Sequence, residues 1–338
     1  MENKLDNLKI GIWVPEKKYN RMQLSKFEQL CRKRGSQVVH LDLSLPLEDQ
    51  GPFDVILHKL TDGVTVAADN GDPKSRSGLD NFKSYVSRHP EVPIVDHLEK
   101  TYHIRQRRVM FQMLRKACQA MQSPSENVKV FVPDFVELQA GQTEREWFDL
   151  MCKSNVQFPV VCKPSDAGIP EIAHDMSLVF NAQGLKQVSP PCVAQSFVNH
   201  DGVLYKLFIF GDKHFLSTRP SLKNITAGGD LETEHFTTSE VSKPDSKSHL
   251  THKTTSKARE SSITRLDGDV MKCIAREVRQ VLNIDLMGID VIVSSKTGHY
   301  AIIDVNPFPG FNGLPETHEK LYDFLKRKVS QCKPDFIE

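Results

Sequence analysis

The chain has 338 residues, more than one hydrophobic core usually serves, so two or three lobes are expected. Its 39% hydrophobic and 26% charged residues match ordinary globular chains and exclude wholesale disorder or a fibrous repeat. A formal net charge of +1 lacks the basic excess of a dedicated nucleic-acid binder. Locally the balance differs: Lys17, Lys18, Arg21, Lys26, Arg32, Lys33 and Arg34 meet little acid between them, which reads as a basic face or as a solvated helix. Seven cysteines, an odd number with no CxxC pair, support neither a disulfide framework nor a zinc site and are read as reduced thiols. The opening MENKLDNLKIGIWV has no signal-peptide core, and no stretch approaches ~18 uninterrupted apolar residues, so a cytoplasmic protein without a membrane span is expected.

In chain order, LKIGIWV (8–14), QVVHLDL (37–43), DVILHKL (54–60) and VPIVD (92–96) alternate with helical patterns near 20–34 and 79–88. That alternation predicts an open parallel sheet. Ligands of such sheets gather at the carboxyl ends of the strands, which places Lys17 and Lys18 beside His58 and Lys59 at one crevice. Lys59 taken alone also reads as an ordinary strand-end charge. A helical pattern over about 100–121 is expected to link the first lobe to the second, ending before the breakers of SPSEN. The second lobe reads as strand FVPDFVEL, helix 143–154, strands FPVVCKP and MSLVF, a helix, then strand PCVAQSFV, assembled as a small mixed sheet. The third reads as VLYKLFIFG, KHFLSTRP, a helix over 266–282, DLMGIDVIVSS, HYAIIDVNPFPG and a closing helix over 317–331. The expected lobes are 1–122, 123–200 and 201–338. Residues 224–262, rich in Ser, Thr and Lys, are expected to form a long loop that is disordered, a lid, or both.

Two apolar strands near the carboxyl end each carry a carboxylate where burial makes charge costly. Asp304 and Asn306, two apart on one strand, project to one face and converge with Asp290 of the other. Mg²⁺ takes one or two carboxylates plus substrate phosphates and water, so this trio suits ions that bridge a nucleotide. The competing reading makes Asp and Asn turn-formers before Pro307 and Gly310. Lys163 in VVCKP and Lys206 in LYKLFIF lie between apolar neighbours, as phosphate-binding cations or as lysines reaching out to solvent. Arg219, beside Ser221 and Lys223, adds a cationic fork suited to phosphate or to transition-state charge.

Together LCRKRG, GPFDVILHKLTD, YKLFIFG, RPSLKN, VSKP, GIDVIV and DVNPFPGFNG resemble the inositol 1,3,4-trisphosphate 5/6-kinase (inositol-tetrakisphosphate 1-kinase) family over nearly the whole chain. The resemblance implies an α/β ATP-grasp fold, with an N-terminal open parallel lobe and two α+β lobes sandwiching ATP. It implies ATP as co-substrate, two Mg²⁺ ions, and phosphorylation of inositol 1,3,4-trisphosphate at the 5- or 6-hydroxyl and of inositol 3,4,5,6-tetrakisphosphate at the 1-hydroxyl. By it, Lys18 and His174 contact the inositol phosphate, Asn306 and Gly310 border it, and Lys206 stands where substrate and ATP phosphates meet. Arg107, Lys163 and Ser221 contact ATP, Gln195, Ser196, Phe197 and Val198 form the hinge over adenine, and Ser242 approaches the nucleotide from the long loop. Asp290 and Asp304 hold one ion, Asp304 and Asn306 the other. Phosphoryl transfer needs positioning and charge neutralisation, which Lys206, Arg219 and Asp304 are read as supplying. A small-molecule enzyme, with no nucleic-acid or membrane partner and acting as a monomer, is expected.

One stretch departs from the family pattern. PSDAGIPEIA (164–173) stands where a glycine-containing loop of small polar residues is expected, so phosphate cradling by its N–H groups is in doubt. Two other readings use the same residues: an ATP-grasp ligase activating a carboxylate, and a noncatalytic inositol-phosphate binder. The basic face of Lys18, His58, Lys59 and His174 favours a polyphosphate over a single carboxylate.

Overall fold

The computed structural model describes residues 7–332 except 122–127, 170–171, 227, 229–230, 243–245, 247, 252–262 and 264–265. The expected boundary at residue 123 and much of the distal part of the 224–262 loop therefore lie outside the described residues.

The first sheet is wholly parallel, in the order β2-β1-β3-β4, from β1 (Lys9–Trp13), β2 (Gln37–His40), β3 (Val55–His58) and β4 (Ile94–Val95). All four residues of β3 are buried, the continuous apolar run of a strand covered on both faces. Helices α1 (Glu16–Met22), α2 (Leu24–Lys33), α3 (Val64–Asp69) and α4 (Pro73–Arg88) supply the connections. α4 starts sharply because the Asp72 carboxylate accepts the Ser75 N–H at 2.8 Å and Pro73 fills the first position, where no N–H is needed.

The predicted helix over 100–121 is two helices, α5 (Leu98–His103) and α6 (Arg107–Ala120). The apolar face of α6 (Met110, Phe111, Leu114, Ala117) packs into one core with α9 (Gly268–Leu282) and the third sheet. Strand FVPDFVEL is likewise divided. Val130–Phe131 forms β5 on the third sheet, while Phe135–Leu138 forms β6 on the second. The chain crosses between sheets at Pro133, which has no N–H to offer a ladder.

The second sheet has the order β12-β8-β7-β9-β6, from β7 (Val160–Pro164), β8 (Asp175–Val179), β9 (Cys192–Ser196), β12 (Glu234–Thr237) and β6. Every hydrogen-bonded pair in it is antiparallel, not mixed as expected. The crossover through α7 (Glu144–Lys153) does return parallel, but β9 inserts between β6 and β7. The segment expected to be a helix after MSLVF is a short 3-10 turn, Gln183–Gln187. Part of the expected structureless loop is ordered: Phe236, buried opposite Met176, draws β12 onto the sheet edge, and α8 (Thr238–Val241) follows with a capping box between Thr237 and Glu240.

The third sheet runs β11-β10-β13-β14-β5, with β10 (Val203–Phe210), β11 (Lys213–Pro220), β13 (Leu286–Val293) and β14 (Tyr300–Pro307) antiparallel. One apolar core joins this sheet to the first: Ile10, Phe27 and Leu57 meet Phe210, Phe311 and Tyr322, the last on α10 (Thr317–Cys332). Burying each such side chain contributes about 1.5–3 kcal/mol, so the first and third sheets form one body through packing. The second sheet has cores of its own around Trp147 and around Phe236, while its Phe135 and Val193 join the core of the third sheet.

Candidate active site

Register assembles the site. Lys206 on β10 lies opposite Asp290 on β13, and Asp290 lies opposite Asp304 on β14. Three charged side chains thus stand in one row, with Lys206 Nζ 2.8 Å from Asp290 Oδ1. Burial lifts the Asp290 carboxyl above its ordinary range, Lys206 opposes that shift, and Asp304 adds to it. Two facing carboxylates, one of them buried, are a donor set that a dication relieves. Asn306, two residues beyond Asp304 and opposite Gly288, shares their face. Among the described residues no three His, Cys, Asp or Glu side chains gather into an all-protein cage. Two carboxylates and an amide instead suit a hard cation that completes its shell from phosphates and water.

A register shift between Asp290 and Val291 leaves Ile303 as the extra residue of β14. Lys163, reaching across from β7, donates to the Ile303 carbonyl at 2.7 Å and to Gln195 Oε1 at 2.9 Å. Burial brings Lys163 down to about 8, partly offset by Asp304. Arg107, at the start of α6, spans the same gap. Its Nε donates to Pro164 O at 2.9 Å, Nη2 to Ala173 O at 2.8 Å, and Nη1 sits 3.4 Å from Asp304. Arg219 lies on β11 two residues from Ser217, the partner of Lys206, so it shares the face of the row. Its guanidinium packs against Gly313: a Cβ there would lie 2.8 Å from Nη1, and Gly313 has φ +77°. Glycine is required at 313 by space and by backbone alike.

The two lysines expected at the ends of the first-sheet strands lie against the end of β14, close to this row. Lys18 Nζ donates to Phe308 O and stands 4.5 Å from the centroid of the Phe308 ring, while Lys59 Nζ donates to Pro307 O at 2.5 Å. Burial, then the charge of Lys59, pushes Lys18 well below its ordinary value. Both lysines are therefore anchored where β14 ends. His174 is exposed, with Nδ1 3.1 Å from Thr238 Oγ1, and it feels the charges of Arg107, Asp304 and Arg21. Ser242 closes α8, whose first residue Thr238 donates its N–H to His174 O, so the two are carried by one edge. Gly310 lies against Arg21, whose Nε would be 3.4 Å from a Cβ at 310.

Several assignments change in detail. His58 does not turn a ring nitrogen to the crevice. A carbonyl only accepts, so Nε2 carries the hydrogen donated to Asp96 O at 2.7 Å, while Nδ1 faces the Leu60 N–H at 3.4 Å. Burial holds this ring down to about 4, neutral and edge-on to Phe82. Ser221 is buried and bonded to His200 Nε2 at 2.7 Å, and His200 Nδ1 donates to Val198 O at 2.6 Å. With Nδ1 the donor, Nε2 accepts the Ser221 hydroxyl proton. Ser221 is thus tied through His200 to the chain just after β9. Along the segment expected to be the hinge, Ser196 Oγ accepts from Gln157 N at 3.0 Å, and Phe197 N donates to Pro159 O at 2.8 Å.

The departing loop is committed internally. The N–H groups of Ser165, Ala167 and Gly168 donate to Pro191 O, Arg105 O and Asp166 Oδ1, so none of the three faces a phosphate. Gly168 is pressed by Arg105, whose Cδ would be 2.0 Å from a Cβ at 168. Pro170 and Glu171 lie outside the described residues. Sequence reasoning overlooked Arg21 as a crevice residue, although its place three residues after Lys18 on one helical turn was a usable signal. It also missed Asp62, 3.2 Å from Lys59, and the orienting His200, which no local pattern marks.

A family model described as inositol 1,3,4-trisphosphate 5/6-kinase ATP-grasp domain matches residues 124–327, and one described as the pre-ATP-grasp domain of the same kinase matches 9–100. An inositol-tetrakisphosphate 1-kinase from Xenopus laevis is 39% identical, with 96% of this chain and 80% of the relative covered. One from Danio rerio is 36% identical over the same shares. Among solved structures, the ATP-grasp ligase PsnB aligns with TM-score 0.57 at 12% identity, covering 96% of this chain and 99% of the other. A D-alanine–D-alanine ligase from Bacillus anthracis aligns at 0.54 and 14%, covering 97% and 99%. These structural likenesses establish the fold alone.

Proposed function

The chain belongs to the inositol 1,3,4-trisphosphate 5/6-kinase family of ATP-grasp proteins, and on that premise we propose that it moves the terminal phosphoryl group of ATP onto a free hydroxyl of a soluble inositol polyphosphate. The acceptors are inositol 1,3,4-trisphosphate, at the 5- or 6-hydroxyl, and inositol 3,4,5,6-tetrakisphosphate, at the 1-hydroxyl. One observation carries the reading: the Lys206–Asp290–Asp304 row and the Lys18/Lys59 crevice meet at the same end of β14. A nucleotide phosphate and an acceptor rich in phosphates would thus be held side by side.

In-line phosphoryl transfer passes through a loose transition state, so the protein's task is to align the groups and offset their charge. Lys163, Arg107, Lys206 and Arg219 surround the position of the transferred group with fixed cations in a partly water-excluded site, where charge stabilisation is strongest. Lys18, Lys59, Arg21 and His174 hold the acceptor's phosphates, with Asn306 and Gly310 along its edge. Gln195 to Val198 receive the adenine, held by Lys163 at one end and His200 at the other, and Ser242 approaches from α8. Asp290, Asp304 and Asn306 would hold Mg²⁺, as two ions sharing Asp304, which when bound neutralises phosphate charge. His58 and Ser221 serve by orienting their neighbours. The chain is read as acting as a monomer. A cytoplasmic setting agrees with seven free cysteines and with helices none of which, among the described residues, is long and apolar enough to cross a membrane.

The test is ATP- and Mg²⁺-dependent conversion of the two inositol phosphates, with products separated by anion exchange. Products carrying one more phosphate are expected. Measurable inositol-phosphate binding without product would overturn the kinase and leave the noncatalytic binder, with the committed 165–168 loop as its cause.

A further inference from the structure

We propose that Asp96 is a positioning residue that holds the inositol-phosphate cations in register with the strand bearing Asp290. The proposal rests on the kinase reading above.

Asp96 follows β4 and is 8% exposed. Its two carboxylate oxygens accept two consecutive backbone N–H groups at the start of β13, Asp285 N at 2.8 Å and Leu286 N at 3.0 Å. Its carbonyl accepts the His58 Nε2 hydrogen at 2.7 Å, and His58 immediately precedes Lys59. One residue therefore grips the end of β3 with its main chain and the beginning of β13 with its side chain. The grip closes into a ring. Leu286 O accepts the Phe308 N–H at 2.7 Å, and Phe308 O and Pro307 O are the acceptors for Lys18 and Lys59. Asp290 lies four residues along β13 from Leu286, on a strand whose alignment the fork sets.

Apolar packing already joins the first and third sheets, yet it is non-directional and does not by itself fix which backbone groups face one another. A bidentate carboxylate does, because hydrogen bonds to a charged acceptor are short and directional. The adenine hinge lies on the second sheet and is untouched by the ring. Loosening Asp96 should therefore misplace Lys18 and Lys59 relative to the metal carboxylates and leave nucleotide binding intact.

The experiment compares wild type, Asp96→Asn, Asp96→Ala and His58→Phe in full-length protein. Steady-state kinetics with inositol 1,3,4-trisphosphate, calorimetric affinities for that compound and for ATP, and melting curves are recorded. Asp96→Ala is expected to raise the KM and Kd for the inositol phosphate about tenfold, of the order of one lost hydrogen bond to a charged acceptor. Asp96→Asn, which keeps one acceptor oxygen but sets its NH₂ against the other strand N–H, and His58→Phe should give rises in the same direction. ATP affinity should stay within about twofold, which 1.4 kcal/mol per tenfold makes a small change. Inositol-phosphate affinity unchanged in the folded variants, or ATP and inositol-phosphate affinity falling together, would overturn the proposal. Should Asp96→Ala fail to fold, Asp96→Asn and His58→Phe carry the same comparison. If wild type turns nothing over, the kinase reading fails, while the calorimetric affinities still decide the role of Asp96.

Discussion

Replacing Gly313 with Ala should slow turnover although residue 313 has no side chain to take part in it. At φ +77° an L-residue costs about 1–2 kcal/mol of backbone strain. The added Cβ would also stand 2.8 Å from Arg219 Nη1 and 3.0 Å from Nη2, inside van der Waals contact, so the guanidinium must shift by some tenths of an ångström or more. Losing a donor to transition-state charge outright typically costs about 100- to 1,000-fold in kcat, and a misplacement of about 1 Å can cost about 100-fold. A fall of about 10- to 100-fold in kcat is therefore expected, with a melting temperature lowered by a few degrees, about what 1–2 kcal/mol does to a chain of this size. ADP release at saturating ATP and inositol phosphate, beside thermal denaturation, provides both readouts. Wild-type kcat in a Gly313→Ala protein whose melting temperature has dropped as expected would show that Arg219 is not part of the transfer site.

Asp304→Asn should lower kcat by about 1,000-fold or more, as removal of a charged group central to transfer does. Inositol-phosphate affinity should fall only a few-fold by calorimetry, and unchanged turnover would remove Asp304 from the metal site. Arg21→Ala should raise the KM for the inositol phosphate about five- to tenfold with little change in kcat, the pattern of lost uniform binding; an unaltered KM would place Arg21 outside the crevice. His58 sits at about 4 in the folded protein against 6.5 ordinarily. Between those values the unfolded chain binds the extra proton, so His58 contributes stability above pH 6.5 that is lost as pH falls toward 4, up to about 3 kcal/mol. Urea denaturation from pH 7 to pH 4 should show a steeper loss in wild type than in His58→Phe, and parallel losses would refute the buried, neutral ring.

The residues alone determined most of the elements and the chemistry each could carry. Short runs dominated by β-branched and apolar residues, such as VIL (55–57) and VIV (291–293), read as strands covered on both faces, and a carboxylate or lysine inside such a run needs a partner, so Lys163, Lys206, Asp290 and Asp304 stood out. The alternation of strands with helices over the first third similarly dictated a parallel sheet, and with it a crevice at Lys18 and Lys59. Partners were another matter. Periodicity repeats over a few residues and says which face is apolar, but not which distant strand covers it. FVPDFVEL therefore read as one strand although its halves serve different sheets, and α6 gave no sign that its apolar stripe belongs against α9. The same limit hid part of the site's geometry: Asp290 and Asp304, on consecutive strands, were expected to converge, but Lys206 lies far from both along the chain and only cross-strand register sets it opposite Asp290. The surroundings of His58 and Ser221 were not legible in the sequence, because a side chain's hydrogen-bond partners decide which way it turns. Their partners, Asp96 O and His200, come from other parts of the fold, where only tertiary packing could bring them.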